Sequence, residues 1–101
     1  MGTESDTMNE ELIFADGFDE CIIGVMEYDG NMRVVYDKWA MVLCMRNQEP
    51  DLTFDDAVEF LEYNVWGSYV GPHTPIYLQV FDGNPEERRE DVIEYMYDNF
   101  W

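Results

Sequence analysis

Apolar and polar positions change their pattern several times along the chain, and the first patterned segment predicts a buried strand. Residues 20–28 are apolar on both alternating faces, with Cys21 and Val25 on one side and Ile22 and Met26 on the other. Such a run is typical of a strand that is covered on both faces. We therefore expect this segment to be the central strand of a sheet.

A turn and a second strand follow directly. Tyr28-Asp29-Gly30-Asn31 supplies the Asp-Gly pair that favours a tight hairpin turn. Residues 32–36 then have strand composition. The sequence therefore predicts a β-hairpin.

The next two segments have the character of helices. Asp37 is a suitable N-cap for a short helix that reaches about Arg46 and has hardly any polar face, so we expect it to be buried. Pro50 and Asp51 interrupt the chain. Thr53, with Asp56 three residues later, predicts the start of a second helix that ends near Trp66. One face of this helix is apolar and is predicted to be core: Phe54, Ala57, Val58, Leu61 and Val65.

A loop rich in Gly and Pro separates these helices from a third strand, predicted over residues 76–81, and from a last helix. Asn84 is a good N-cap, Pro85 suits the first helical position, and glutamates fill the first turn. The last helix is expected to reach nearly to Trp101. Its apolar residues fall on one side, flanked by Arg88 and Arg89: Val92, Ile93, Tyr95, Met96 and Phe100.

The predicted order is β-β-α-α-β-α, which indicates an α+β fold with a three-stranded, mainly antiparallel sheet and helices packed on it. Residues 1–11 lack periodicity and are predicted to be a flexible acidic arm, and residues 12–101 a single domain. The chain has 101 residues, 47% hydrophobic and 16% aromatic, which is enough for a core. A disordered acidic tail is excluded, because such tails are poor in aromatic residues.

The net charge of the chain limits the classes of partner that it can bind. The chain carries 23 Asp and Glu against 5 Lys and Arg, a formal net charge of −18. Nucleic acids and anionic membranes are repelled by such a surface, because proteins bind both largely through Lys and Arg. A basic protein remains the most suitable partner.

Targeting signals do not alter this interpretation. No apolar run approaches the roughly 20 residues needed to span a bilayer, and the acidic N-terminus does not resemble a secretory signal. Cys21 and Cys44 lie in apolar runs, and we expect them to be buried and reduced. These features predict a cytoplasmic protein.

Acidic side chains are expected to form rows on two helices. On the last helix, one face carries Glu87, Asp91, Glu94 and Asp98 over about 16 Å. The distance between neighbouring carboxylates is not far from the distance between neighbouring phosphates of one DNA strand. The second helix carries a similar face with Asp55, Asp56, Glu59 and Glu62. Three aromatic residues are predicted to lie among these carboxylates and to anchor a partner: Tyr63, Trp66 and Tyr97.

Two explanations of the acidic rows are open at this point. Such a face is often only a solvated surface, and an excess of carboxylates also occurs in proteins adapted to high salt. Alternatively, the rows imitate nucleic acid and occupy the phosphate-binding groove of a basic protein.

Candidates for catalysis are weak. His73 is the single histidine, and pairing it with Cys44 as nucleophile conflicts with the expected burial of that thiol. Residues 16–20 resemble a cation-binding loop in composition but lack EF-hand spacing. No Gly-rich phosphate loop or Cys/His cluster occurs. We therefore expect no catalytic residue, no cofactor and no bound metal.

Three stretches resemble a family: residues 15–20 (ADGFDE), 35–38 (VYDK) and 60–75 (FLEYNVWGSYVGPHTP). Together they make residues 15–81 similar to small uncharacterised proteins encoded by tailed bacteriophages. The resemblance implies a phage protein that acts in the host cytoplasm, and it carries over no catalytic residue.

The leading hypothesis is a non-enzymatic phage protein that inhibits a basic, nucleic-acid-handling host protein through its carboxylate rows. The alternative is an assembly factor that self-associates as a homodimer through Met96, Phe100 and Trp101, its charge serving solubility. A small hydrolase that uses Asp16, Asp19 and a metal is a third hypothesis.

Overall fold

The computed structural model describes residues 12–100, with the side chain of Phe100 outside that description. The predicted acidic arm, residues 1–11, also lies outside the described residues. The α+β class and the order β-β-α-α-β-α are confirmed. The elements are β1 (Ile22–Tyr28), β2 (Asn31–Asp37), α1 (Lys38–Gln48), α2 (Phe54–Leu61), β3 (Ile76–Leu78) and α3 (Pro85–Phe100), with a short 3-10 helix at Asp19–Cys21 and a wide turn at Glu62–Trp66.

Strand β2 is the centre of the sheet, so the prediction that the first strand is central was wrong. The tight hairpin pairs β1 with β2 in antiparallel fashion, and within residues 12–100 the other edge of β1 has no neighbouring strand. The two helices that follow form the crossover that parallel pairing requires, and they bring β3 alongside the second edge of β2. The sheet is therefore mixed, and the longer of its two pairings is antiparallel.

Burial follows this topology rather than the apolar run of β1. In β2, Val34, Val35 and Tyr36 are all buried, as expected for a strand covered on both faces. In β1 every residue after Ile22 is exposed, because the strand lies at the edge of the sheet. The expectation that β1 is covered on both sides was therefore wrong, and the signal for the central strand was the run of three apolar residues in β2.

The hydrophobic core lies between β2 and helices α1 and α2. Its members are buried side chains from all three elements and from the short 3-10 helix: Cys21, Val34, Tyr36, Met41, Val42, Cys44, Ala57 and Leu61. Helix α1 is less buried than predicted, since Trp39 and Leu43 are about half exposed. Residue Trp39 stacks on Phe54, with ring centroids 5.3 Å apart, so the exposed ends of both helices cover each other.

Local hydrogen bonds begin each helix where the sequence predicted it. The Asp37 carboxylate accepts from the main-chain N–H groups of Trp39 and Ala40, at 2.9 and 3.2 Å. Residue Thr53 Oγ1 accepts from Asp56 N–H at 3.1 Å, which satisfies a donor that the first turn of α2 leaves unpaired.

Helix α3 differs from the other two because it is not among the closely packed pairs of elements in residues 12–100. Its cap is complete: Glu87 N–H donates to Asn84 Oδ1 at 2.9 Å, and Asn84 Nδ2 donates back to Glu87 Oε1 at 2.6 Å. Its apolar side is poorly covered, with Val92 and Ile93 nearly half exposed. Within residues 12–100, α3 is therefore less closely packed on the rest of the domain than α1 and α2 are.

Candidate partner-binding surface

The acidic face of α2 is displayed as predicted. Its carboxylates are all exposed: those of Asp55, Asp56 and Glu59 on the helix, and that of Glu62 at the start of the wide turn that continues it. The opposite face supplies Ala57 and Leu61 to the core, both with 0% of their surface exposed. Because these two buried residues hold the helix against α1, the carboxylates project from a fixed backbone.

Carboxylates and aromatic rings come together in a shallow depression on this face. It is lined by Asp56, Glu59, Phe60, Tyr63 and Asn64. Tyr63 is 80% exposed. Carboxylates bind a cationic side chain through charge and hydrogen bonds, and aromatic faces attract the same cation.

Phe60 is a member of the depression that the sequence analysis missed. It is about half exposed, although phenylalanine on an amphipathic helix is usually assigned to the core. A rotation of 100° per residue places it about 40° from Asp56 and about 60° from Ala57, at the boundary between the acidic face and the core side. That angular position was the sequence signal that could have assigned Phe60 to the surface.

Trp66 is the member of the predicted surface that the structure turns away from solvent. It is half-buried and packs against the core, where its Nε1–H donates to Met41 Sδ at 3.5 Å. The Lys38 Nζ lies over its ring, 4.4 Å from the centroid. These contacts make Trp66 a side chain that closes the core rather than an exposed anchor.

The wide turn explains why Trp66 departs from the predicted face. After Leu61 the helix widens so that main-chain bonds span five residues, as in the bond from Gly67 N–H to the Glu62 oxygen at 3.2 Å. A wider turn rotates less per residue than an α-helix. The last residues therefore lag behind the 100° pattern, and Trp66 faces the core while Tyr63, earlier in the turn, stays outside.

The row on α3 is displayed in part. Asp91, Glu94 and Asp98 are exposed, and Tyr97 has 63% of its surface exposed. Glu87 differs because its carboxylate accepts the bond from Asn84 that completes the helix cap. Helices α2 and α3 are not closely packed on each other within residues 12–100, so the two rows lie on separately positioned helices.

Three of the basic side chains are held by aromatic rings. The Arg33 guanidinium lies 5.1 Å from the Tyr28 ring centroid, Arg46 lies 3.9 Å from that of Phe54, and Lys38 lies over Trp66. The two arginines also donate hydrogen bonds to main-chain carbonyl oxygens, Arg33 to that of Thr74 and Arg46 to that of Leu52. These cations are therefore positioned by rings and carbonyls, which leaves the exposed carboxylates of α2 available to a partner.

The cysteines are free and buried, as predicted. Burial, followed by the nearby Cys44 and Glu20, raises the pKa of the Cys21 thiol to about 11. Burial also raises the pKa of Cys44, whose Sγ donates to Glu20 Oε1 at 3.3 Å. Both thiols are therefore protonated at neutral pH, whereas a cysteine nucleophile reacts as the thiolate.

His73 is placed by the loop before β3, where its Nδ1 is 2.8 Å from the Met32 carbonyl oxygen. A carbonyl only accepts, so Nδ1 carries the proton in this bond. The ring therefore helps to hold the loop against β2.

The remaining candidates concern metals and membranes. Asp16 and Asp19 are exposed, and in residues 12–100 no group of three or more His, Cys, Asp or Glu is arranged to hold a metal ion. Across the same residues, no helix has the length and apolar character needed to cross a membrane.

Comparison with known proteins gives no relative for this chain: no family model, no curated protein and no solved structure matches it.

Proposed function

We propose that this protein binds a basic, nucleic-acid-handling protein of a bacterial host and blocks its nucleic-acid groove, without an enzymatic activity of its own. The setting follows from the resemblance to tailed-phage proteins. The binding face is the acidic face of α2, consisting of Asp55, Asp56, Glu59 and Glu62 together with Tyr63. The exposed carboxylates of α3 form a second row that adds to the negative electrostatic field of the protein.

The observation that carries this proposal is the depression on α2. A surface shaped only by solvation has no need of aromatic rings, because exposed rings add no hydration and invite association. Here Phe60 and Tyr63 lie beside Asp56 and Glu59. An arginine that normally contacts a phosphate can place its guanidinium against these carboxylates while its flat face covers a ring.

Net charge supports the same conclusion. At −18 the chain repels itself, which costs stability in a small domain. The field also raises the association rate with a positively charged groove and weakens as salt is added. A partner that normally binds DNA would therefore be captured rapidly at low salt.

The test is capture of host proteins by the immobilised full chain from a bacterial lysate, followed by mass spectrometry. Duplex DNA is added as a competitor, and NaCl is raised from roughly 0.1 M to roughly 1 M. We expect basic DNA- or RNA-binding proteins to be captured, and to be released both by the DNA and by the salt. Captured proteins that remain bound at about 1 M NaCl and in excess DNA would contradict the proposal.

A matched pair of variants locates the surface. The first carries Asp55→Asn, Glu59→Gln and Glu62→Gln on α2. The control removes the same charge at exposed positions elsewhere, with Glu27→Gln, Asp29→Asn and Asp82→Asn. We expect the α2 variant to weaken capture about tenfold or more, since exposed ion pairs contribute up to about 1 kcal/mol each. Equal weakening by both variants would mean that only net charge matters, and the assigned face would be wrong.

A further inference from the structure

Strand β1 has an open edge that is independent of the acidic surface. It pairs with β2 on one side, and in residues 12–100 no strand lies along its other side. Four apolar side chains of this strand are roughly half exposed: Ile23, Val25, Met26 and Tyr28. An apolar strand with a free edge is a template for pairing with another strand.

The hairpin determines which main-chain groups reach this edge. Asp29 and Gly30 both have positive φ, 55° and 81°, which is typical of a two-residue turn closed by a hydrogen-bonded pair, here Tyr28 and Asn31. Because hydrogen bonding alternates along a strand, Tyr28 and Met26 point their N–H and C=O groups to β2. Val25 and Glu27 therefore point theirs outward.

The strand lacks the features that usually protect an edge. It contains no Pro and no Lys, and the one irregularity, a bulge between Ile22 and Gly24, lies at its far end. Glu27 is its single charged residue. The strand is thus a nearly neutral stretch on a strongly acidic protein, and is poorly suited to the cationic partner of α2.

We propose that β1 pairs with β1 of a second copy of this chain, in antiparallel orientation, to form a dimer with a continuous six-stranded sheet. A second β1 is a suitable occupant because the strand is apolar and carries one charge, that of Glu27. Two registers are compatible with the outward groups. If the two-fold axis passes through Val25, Glu27 lies opposite Ile23 of the second copy. If the axis passes through Met26, Glu27 lies opposite Val25 of the second copy. Neither register places two carboxylates opposite each other, and both pair the outward groups of Val25 and Glu27.

Net charge gives the dimer a salt dependence opposite to that of partner capture. Two chains of charge −18 repel each other, and salt screens that repulsion. The apolar contacts and main-chain bonds of the paired edges are less sensitive to salt. We therefore expect dimerisation to strengthen under conditions that weaken binding of a basic protein.

The experiment is sedimentation velocity on the full chain over a range of concentrations, at roughly 0.1 M and roughly 1 M NaCl. We expect a monomer–dimer equilibrium in which the dimer fraction is larger at high salt. Val25→Lys should weaken the dimer about tenfold or more, although it lowers the net negative charge. The control Val70→Lys makes the same change at an equally exposed position outside β1 and should leave the equilibrium as it is.

Amide hydrogen exchange, measured by NMR at concentrations on both sides of the transition, identifies the edge. The amides of Val25 and Glu27 should become protected in the dimer, and those of α3 should not. Val25→Pro provides a second variant, because it removes an outward donor that β2 does not use. Val25→Lys and Val25→Pro should both retain capture of the basic partner.

Three outcomes would overturn the proposal. The first is a monomer at every concentration and salt. The second is a dimer equally weakened by Val25→Lys and Val70→Lys. The third is a dimer in which protection appears in α3, or in which the Val25 and Glu27 amides stay unprotected, since the second copy would then be held by another surface.

Discussion

The main-chain N–H of Gly67 donates to the carbonyl oxygen of Glu62 at 3.2 Å and closes the wide turn at the end of α2. This bond spans five residues. It separates two aromatic side chains that are close in sequence, because Tyr63 stays on the acidic face while Trp66 closes the core. Wide turns of this kind are rare and often occur where a protein binds something.

Gly67→Ala should disrupt this turn. A Cβ at Gly67 would lie 2.7 Å from the Glu62 oxygen, which is main chain and cannot rotate away. We expect a loss of about 1–3 kcal/mol in the free energy of unfolding, as for other overpacked sites, measured by urea denaturation. The NMR signal of the Trp66 indole N–H should shift as its contact with Met41 changes.

Gly24→Ala is the matched control, because a Cβ there meets nothing within 4 Å. It should leave the urea midpoint nearly unchanged. If both alanine variants have the same stability, the close approach of a Cβ at Gly67 to the Glu62 oxygen does not affect the free energy of unfolding.

The caps of α2 and α3 should respond differently to removal. Thr53→Ala removes the bond to Asp56 N–H, and Asn84→Ala removes the bond to Glu87 N–H; each change should destabilise its helix by about 1 kcal/mol. Because α2 supplies Ala57 and Leu61 to the core, Thr53→Ala should lower the urea midpoint of the whole domain. Asn84→Ala should instead raise amide exchange in α3 with little effect on that midpoint. An equal fall in midpoint would mean that α3 is integrated into the core.

Stability should fall at alkaline pH. Burial raises the pKa of Cys21 from 9.0 to about 11, so the unfolded chain loses this proton near pH 9 while the folded chain keeps it. The stabilisation is complete below about pH 9 and is lost as the pH rises to about 11. The pKa values of Cys44 and Tyr36 are also raised, chiefly by burial, and act in the same direction.

Urea denaturation at several pH values tests this expectation. The Cys21→Ala variant should lose less stability than the parent chain between about pH 9 and about pH 11, because it lacks the titrating group. Parallel curves for the two proteins would show that Cys21 does not contribute.

Tyr36→Phe should loosen the segment before β1. The Tyr36 hydroxyl accepts from the Ala15 main-chain N–H at 2.8 Å, and the side chain is fully buried. Phenylalanine retains the ring but leaves that N–H without its partner, at a cost of about 1–3 kcal/mol in urea denaturation. Tyr77→Phe is the control, since its ring lies 5.6 Å from that of Tyr36 in a half-buried position. Equal losses from both variants would argue against this bond.

Local sequence patterns were enough to predict the order of the elements and the residues at which the helices begin. Asp37, Thr53 and Asn84 were predicted as caps, and Asp29-Gly30 as the hairpin turn, and each was confirmed. These features were predictable because a cap or a tight turn depends on hydrogen bonds and backbone angles within a few residues. The acidic face of α2 was equally accessible, since an amphipathic helix must bury its apolar side and expose the other.

Which surfaces are covered depended instead on how the elements pack together. β2 became the central strand because the crossover delivered β3 to its free edge, and this left β1 as an exposed edge despite its apolar sequence. Trp66 turned inward through a main-chain bond that a 100° helical pattern does not anticipate. Such outcomes depend on segments far apart in the chain, and the residues of one segment do not encode which neighbour will lie against it.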